Sequence, residues 1–151
     1  MAGAVAVVAF LMSALSCTTD TLELQQDFPF EVAVMPVPKE IASGQTVEIR
    51  ITIQPGGHYS GTEYFIRYFQ FDGQGKLQQE GLPPYLPNDS YLLAQKEFRL
   101  YYTAMSSVSQ SFDVWIADSF GNEKLLQFEF NSSDKQKLYY LITQPGWVIF
   151  C

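Results

Sequence analysis

The sequence is short of the residues that most chemistry needs. Among 151 residues there is one histidine and there are two cysteines. A metal site needs several N, O or S ligands converging, and His58 has no second histidine to join it. Cys17 and Cys151 form no CxxC pair and no Cys/His cluster. A serine triad would have to use His58, and no Gly-x-Ser-x-Gly elbow is present. His58 is therefore read as a solvated residue of the loop PGGHYSG, with Tyr59 to Thr62 beside it as a candidate contact loop. Calcium-loop spacing and a phosphate-cradling glycine loop are also missing. The carboxylates show no pattern that suits glycoside hydrolysis. No catalytic residues, cofactor, metal or small-molecule substrate is expected. Basic residues are scarce as well: nine Lys and Arg against sixteen Asp and Glu give a net charge of -7. Phosphate binding wants a basic surface, so no direct nucleic-acid binding is expected.

The apolar content is unevenly spread. Residues 1–16, MAGAVAVVAFLMSALS, hold thirteen apolar side chains and no charge. That run is too short for a spanning helix, which takes about 20 apolar residues, but suits the h-region of a signal peptide. It leads through Ala14-Leu15-Ser16 into Cys17, which resembles a bacterial lipobox, although Ala14 stands where Leu is usual and no basic n-region precedes it. Cys17 is the candidate lipidation site; a plain cleaved signal and a buried N-terminal helix are the alternatives. Lipidation would place the chain in the bacterial cell envelope, tied to a membrane by acyl chains worth about 0.8 kcal/mol per buried methylene. Residues 17–27 read as an acidic tether. Within it, Asp20-Thr21-Leu22 resembles the O-glycosylation signal of Bacteroidetes envelope proteins, which makes Thr21 a candidate modification site against the alternative of an unmodified linker.

From Phe28 the pattern has period two. Val47, Ile49, Ile51 and Ile53 alternate with Glu48, Arg50, Thr52 and Gln54, the signature of a half-buried antiparallel strand. Strands are also expected over Phe28–Val34, Glu63–Asp72, Lys96–Thr103, Ser111–Ala117 and Glu123–Asn131, with a weak edge strand at Lys76–Gln79. Asp72 and Asp118 precede glycine-containing turns, where Asp normally bonds its own backbone. No amphipathic helix of convincing length lies between Phe28 and Asn131. The expectation is an all-β, immunoglobulin-like antiparallel sandwich of about seven strands over residues 28–131.

The texts TVEIRITI, YFIRYFQFDGQGKL and SFDVWIADSFGNEKLLQFEF, behind a lipobox-like Cys17, resemble the TraQ-like conjugal transfer lipoproteins of Bacteroides conjugative transposons. The resemblance covers about Cys17 to Asn131. It implies an immunoglobulin-like envelope lipoprotein encoded with a transfer apparatus, with other transfer proteins as partners, and it carries no catalytic or ligand residues. Residues 132–151 depart from that pattern. Leu138–Ile142 and Trp147–Phe150 are read as an extra strand, an exposed binding segment or an altered tail.

One strand is ambiguous. Tyr64, Phe65, Tyr68, Phe69 and Phe71 cannot all enter one core, since Tyr64, Ile66 and Tyr68 share one face and Phe65, Phe69 and Phe71 the other with Arg67. The second face is covered, for instance by the Pro-rich loop LPPYLPNDSY, or it meets a partner protein. Two functions follow: a non-catalytic accessory or structural component of a conjugative apparatus, or a surface lipoprotein binding glycan or host protein through a sandwich face.

Overall fold

The computed structural model describes residues 29–57 and 61–134. Nine strands follow in chain order: β1 (Phe30–Val34), β2 (Glu40–Ile41), β3 (Thr46–Pro55), β4 (Tyr64–Asp72), β5 (Gly75–Gln79), β6 (Tyr91–Leu93), β7 (Glu97–Ala104), β8 (Gln110–Asp118) and β9 (Glu123–Ser132). They form a four-stranded sheet, β1-β3-β7-β5, and a five-stranded sheet, β2-β9-β8-β4-β6. The first order is that of strands A-B-E-D in immunoglobulin domains, and β9-β8-β4 is that of G-F-C. The chain is an all-β, immunoglobulin-like sandwich with nine strands where the sequence suggested about seven. The two extra strands, β2 and β6, are two and three residues long, too short for alternation to register.

One pairing is not antiparallel. β2 runs parallel to β9, with Glu40 opposite Asn131 and Ile41 opposite Ser132. The cause lies in Pro36 and Pro38. Proline cannot donate to a ladder, so β1 ends before them and the chain re-enters the other sheet as β2. The Asn131 N–H then donates to the Lys39 carbonyl at 2.8 Å.

The core is built from the inward positions of each alternating strand. Val47, Ile49, Ile51 and Ile53 of β3 face Tyr64, Ile66 and Tyr68 of β4 and Phe112, Val114 and Ile116 of β8 across the sandwich, and all are buried. At its centre Tyr102 stacks on Phe112 at 4.2 Å, and Phe112 on Phe128 at 5.1 Å. The Tyr102 hydroxyl donates to Gln110 Oε1 and accepts from Gln70 Nε2, both at 2.8 Å. Gln110 Nε2 donates onward to the Val108 carbonyl at 2.6 Å. This buried amide and phenol set fixes the end of the sandwich where β4 turns into β5. That turn needs glycine twice. Gly73 has φ +75, and a Cβ there would strike the Gln110 amide; a Cβ on Gly75 would strike the Tyr102 phenol.

The Pro-rich loop does not lie over the second face of β4. It closes the side of the sandwich between β5 and β4. The Tyr85 N–H donates to the Leu77 carbonyl and the Asn88 N–H to the Tyr68 carbonyl, each at 2.8 Å. Tyr85 is buried and stacks on Tyr91 at 4.5 Å. Of the two turn aspartates, Asp118 behaves as expected: Oδ1 accepts the N–H groups of Phe120 and Asn122, both at 2.9 Å. The Asp72 carboxylate makes no such bond among the described residues.

Candidate functional site

The two sheets present unlike surfaces to solvent. The outer face of the four-stranded sheet is polar. Glu48, Arg50 and Thr52 of β3 lie beside Tyr101, Arg99 and Glu97 of β7. Arg50 stands directly opposite Arg99, a like-charge pair that would repel. Glu48 bridges them: it accepts from Arg50 Nε, and Arg99 Nη1 lies 3.8 Å from its other oxygen. The Arg50 hydrogen bond holds the Glu48 carboxyl below the usual range, against a smaller desolvation cost. An open depression of about 850 Å³ sits over this sheet, lined in part by Met35, Arg50, Thr52, Gln79, Leu82 and Arg99. Its arginines are already spent on Glu48.

The outer face of the five-stranded sheet is aromatic and apolar. Register places Phe65 of β4 between Leu92 of β6 and Ala117 of β8. The next row is Arg67, Trp115 and Leu125, and the next Phe69, Asp113 and Gln127. Phe71, at a bulge in β4, meets Phe69 edge-on at 5.0 Å. Leu92 is 58% exposed, Phe71 56% and Leu125 49%. The Arg67 guanidinium lies over the Trp115 ring at 4.2 Å, with Nη2 3.8 Å from Glu123. Gln127 Nε2 donates to Asp113 Oδ1 at 3.4 Å. Acids outnumber bases here: Asp113, Glu123 and Glu129 against Arg67.

The five aromatics singled out in β4 therefore divide. Tyr64 and Tyr68 belong to the core, and burial raises both phenol pKa values. Phe65, Phe69 and Phe71 belong to the outer face. Sequence reasoning placed Arg67 on that face with them but did not include Trp115, Leu125 and Leu92. Alternation in β8 already set Trp115 apart from Phe112, Val114 and Ile116, but only the register of β4 on β8 places it beside Arg67. Cys17, Thr21 and His58 lie outside the described residues, as do Tyr59, Ser60 and residues 135–151. Among the described residues no group of three or more His, Cys, Asp or Glu is placed to hold a metal ion. No helix among them is long and apolar enough to cross a membrane.

The family model of the TraQ conjugal transfer protein matches residues 1–133. The crystal structure of a conjugative transposon lipoprotein from Bacteroides eggerthii is 49% identical, covers 70% of this chain and all of its own, and superposes with a TM-score of 0.66. The solution structure of a conjugate transposon protein from Bacteroides vulgatus is 47% identical over 74% of this chain and 91% of its own, with a TM-score of 0.63. A lipoprotein from Bacteroides thetaiotaomicron, also solved in solution, is 41% identical over 85% of this chain and 98% of its own, with a TM-score of 0.66. None of the curated proteins matches at a significant level.

Proposed function

Because this chain belongs to the TraQ conjugal transfer protein family, we propose that it is a lipid-anchored, non-catalytic docking component of a conjugative DNA-transfer apparatus. The anchor is the acylated Cys17, and the partner is another protein of that apparatus. The observation that carries the reading is the asymmetry of the sandwich. The β3 and β7 rows of one outer face are a ladder of charges and hydroxyls, with Met35 and Leu82 the large apolar side chains exposed at its depression; the other face exposes Phe71, Leu92 and Leu125 around Trp115 with half-buried Phe65 and Phe69. Apolar and aromatic surface of this kind marks interaction sites, and Trp and Tyr sit at interface centres. Anchoring adds to this by raising the local concentration of the domain near membrane-bound partners.

The glycan reading is the weaker of the two. Sugar stacking needs an open aromatic platform, and the Arg67 guanidinium already covers Trp115. The test is genetic. Deleting the gene should lower transfer frequency at least tenfold. The wild-type chain should restore it, and Cys17→Ser should leave the protein unacylated, by intact mass, and fail to restore it. Normal transfer in the deletion strain would overturn the reading.

A further inference from the structure

The five-stranded sheet is incomplete at one edge. β9 pairs with β8 from Glu123 to Phe130, but on its other side β2 covers only Asn131 and Ser132. The N–H groups of Asn131 and Ser133 point to that side, where they meet the carbonyls of Lys39 and Ile41. The two-residue alternation of a strand turns the N–H and C=O of Leu125, Gln127 and Glu129 the same way. No strand lies there among the described residues. The interior shows the same gap. Inward-facing residues of β3, β7 and β8 are buried, yet Val32 and Val34 of β1 and Leu126 of β9, which flank this seam, are only partly so. Lys124 donates to Glu31 at 2.9 Å across it.

We propose that the open edge of β9 takes an extended segment of a partner protein as a tenth strand, apolar on its inward side and carrying Lys or Arg on its outward side. This rests on the docking reading above and gives it a mode. Strand addition at a free edge supplies main-chain hydrogen bonds, and alternate side chains supply specificity. The inward side chains of the added strand cover Val32, Val34 and Leu126. Its outward side chains continue the row of Trp115 and Leu125 and meet the Glu123 and Glu129 carboxylates, which is why they are basic. The family model matches residues 1–133, so residues 134–151 lie beyond it, and the acidic residues 17–27 do not complement the Glu123 and Glu129 carboxylates; together these favour an occupant from outside the chain.

Two measurements test the mode on the full chain. Amide hydrogen exchange is followed with a synthetic nine-residue peptide alternating Lys and Val, and with one alternating Glu and Val. The Lys-Val peptide should slow exchange at Leu125, Gln127 and Glu129 at least tenfold; the Glu-Val peptide should not. Gln127→Pro removes an N–H that faces the open edge and leaves the β8 ladder intact. It should abolish that protection with a melting temperature within about 2 °C of Gln127→Ala, which loses the same side-chain bond to Asp113 and keeps the N–H, and should lower transfer to the level of the deletion while Gln127→Ala does not. Three exchange results would overturn strand addition: no slowing with the Lys-Val peptide, protection without peptide that is lost in Leu138→Ser/Tyr140→Ser/Ile142→Ser, or protection without peptide that rises with protein concentration. The second outcome would identify the chain's own residues as occupant, the third a second copy. If Gln127→Pro transfers normally while Phe69→Ala does not, the strand mode falls and the docking reading stands.

Discussion

Strand β4 places two aromatic side chains next to each other in sequence and on opposite sides of a sheet, so it separates stability from docking. Tyr68 is 3% exposed, faces Phe112 edge-on at 6.4 Å and lies inside the sandwich. Tyr68→Ala removes a buried ring and leaves a cavity, at a cost of about 3–5 kcal/mol. For a domain of this size that is a loss of about 10 °C or more in melting temperature. Phe69 lies one residue on and faces outward, half-buried among Trp115, Asp113 and Phe71. Phe69→Ala gives up partial burial only, about 1 kcal/mol or less at roughly 25 cal/mol per Å². Phe71→Ala, at a position 56% exposed, should fall within about 0.5 kcal/mol. Thermal unfolding of the three variants and transfer frequency in complemented deletion strains, with protein levels matched by immunoblot, give the two readouts. Tyr68→Ala should lose transfer in proportion to lost protein. Phe69→Ala and Phe71→Ala should keep normal protein levels and still lower transfer, most strongly when combined. If Phe69→Ala unfolds as readily as Tyr68→Ala, the outer face is structural. If both outward variants melt and transfer like wild type, it is not a docking face.

Three further outcomes test the packing that positions this face. Tyr102→Phe removes a hydroxyl that both donates to Gln110 and accepts from Gln70, so denaturant unfolding should show a loss of about 1–3 kcal/mol. Tyr101→Phe, next door on the polar outer face, should lose less than about 0.5 kcal/mol. Burial pushes the Tyr85 phenol up to about 12, so the folded state holds the neutral form after the unfolded chain has ionised near pH 10. Its contribution is complete below about pH 10 and is lost as pH rises through 12, by about 2–3 kcal/mol. Tyr85→Phe should flatten that part of the stability curve in melts taken from pH 9 to 12, and an unchanged slope would refute it. Gly75→Ala drives a methyl group into the Tyr102 phenol, so a soluble variant should melt well below wild type, whereas Gly81→Ala, with open space around it, should lose only the smaller cost of its positive φ.

Most of the fold was legible because its strands obey one rule. Val47 to Ile53 alternate without a break, and each inward member is buried where period two puts it. The two strands that escaped are short, and the parallel pairing of β2 depends on where a proline-broken segment lands, which is a tertiary fact. The face of β4 was legible as a conflict, with too many aromatics for one core. Its resolution was not, since that required knowing that the Pro-rich loop closes a side of the sandwich rather than a face. The Gly-Gln-Gly turn stood out as a strand break. That its glycines make room for Gln110 and Tyr102 depends on residues 27 to 37 positions away, beyond any local pattern.

The geometry of attachment bears on which surface a partner reaches. β1 begins beside the end of β3, where the Gly56 N–H donates to the Pro29 carbonyl, so the tether joins the end of the sandwich that holds the β8–β9 turn. The β4–β5 turn and the end of β9 lie at the opposite end. With the anchor proposed at Cys17, the eleven residues 17–27 span at most about 40 Å when extended. On that proposal the end of the sandwich that holds Phe30 is the one nearest the tether, and both sheet faces are its flanks. A partner held by the same membrane can approach a flank without displacing the tether, and the flank with water-suited charges offers it Met35 and Leu82 but no aromatic row. The flank formed by β4, β8 and β9 offers apolar rings, an acidic rim and an unfilled strand position within one surface, which is the combination that a laterally docking, basic partner segment requires.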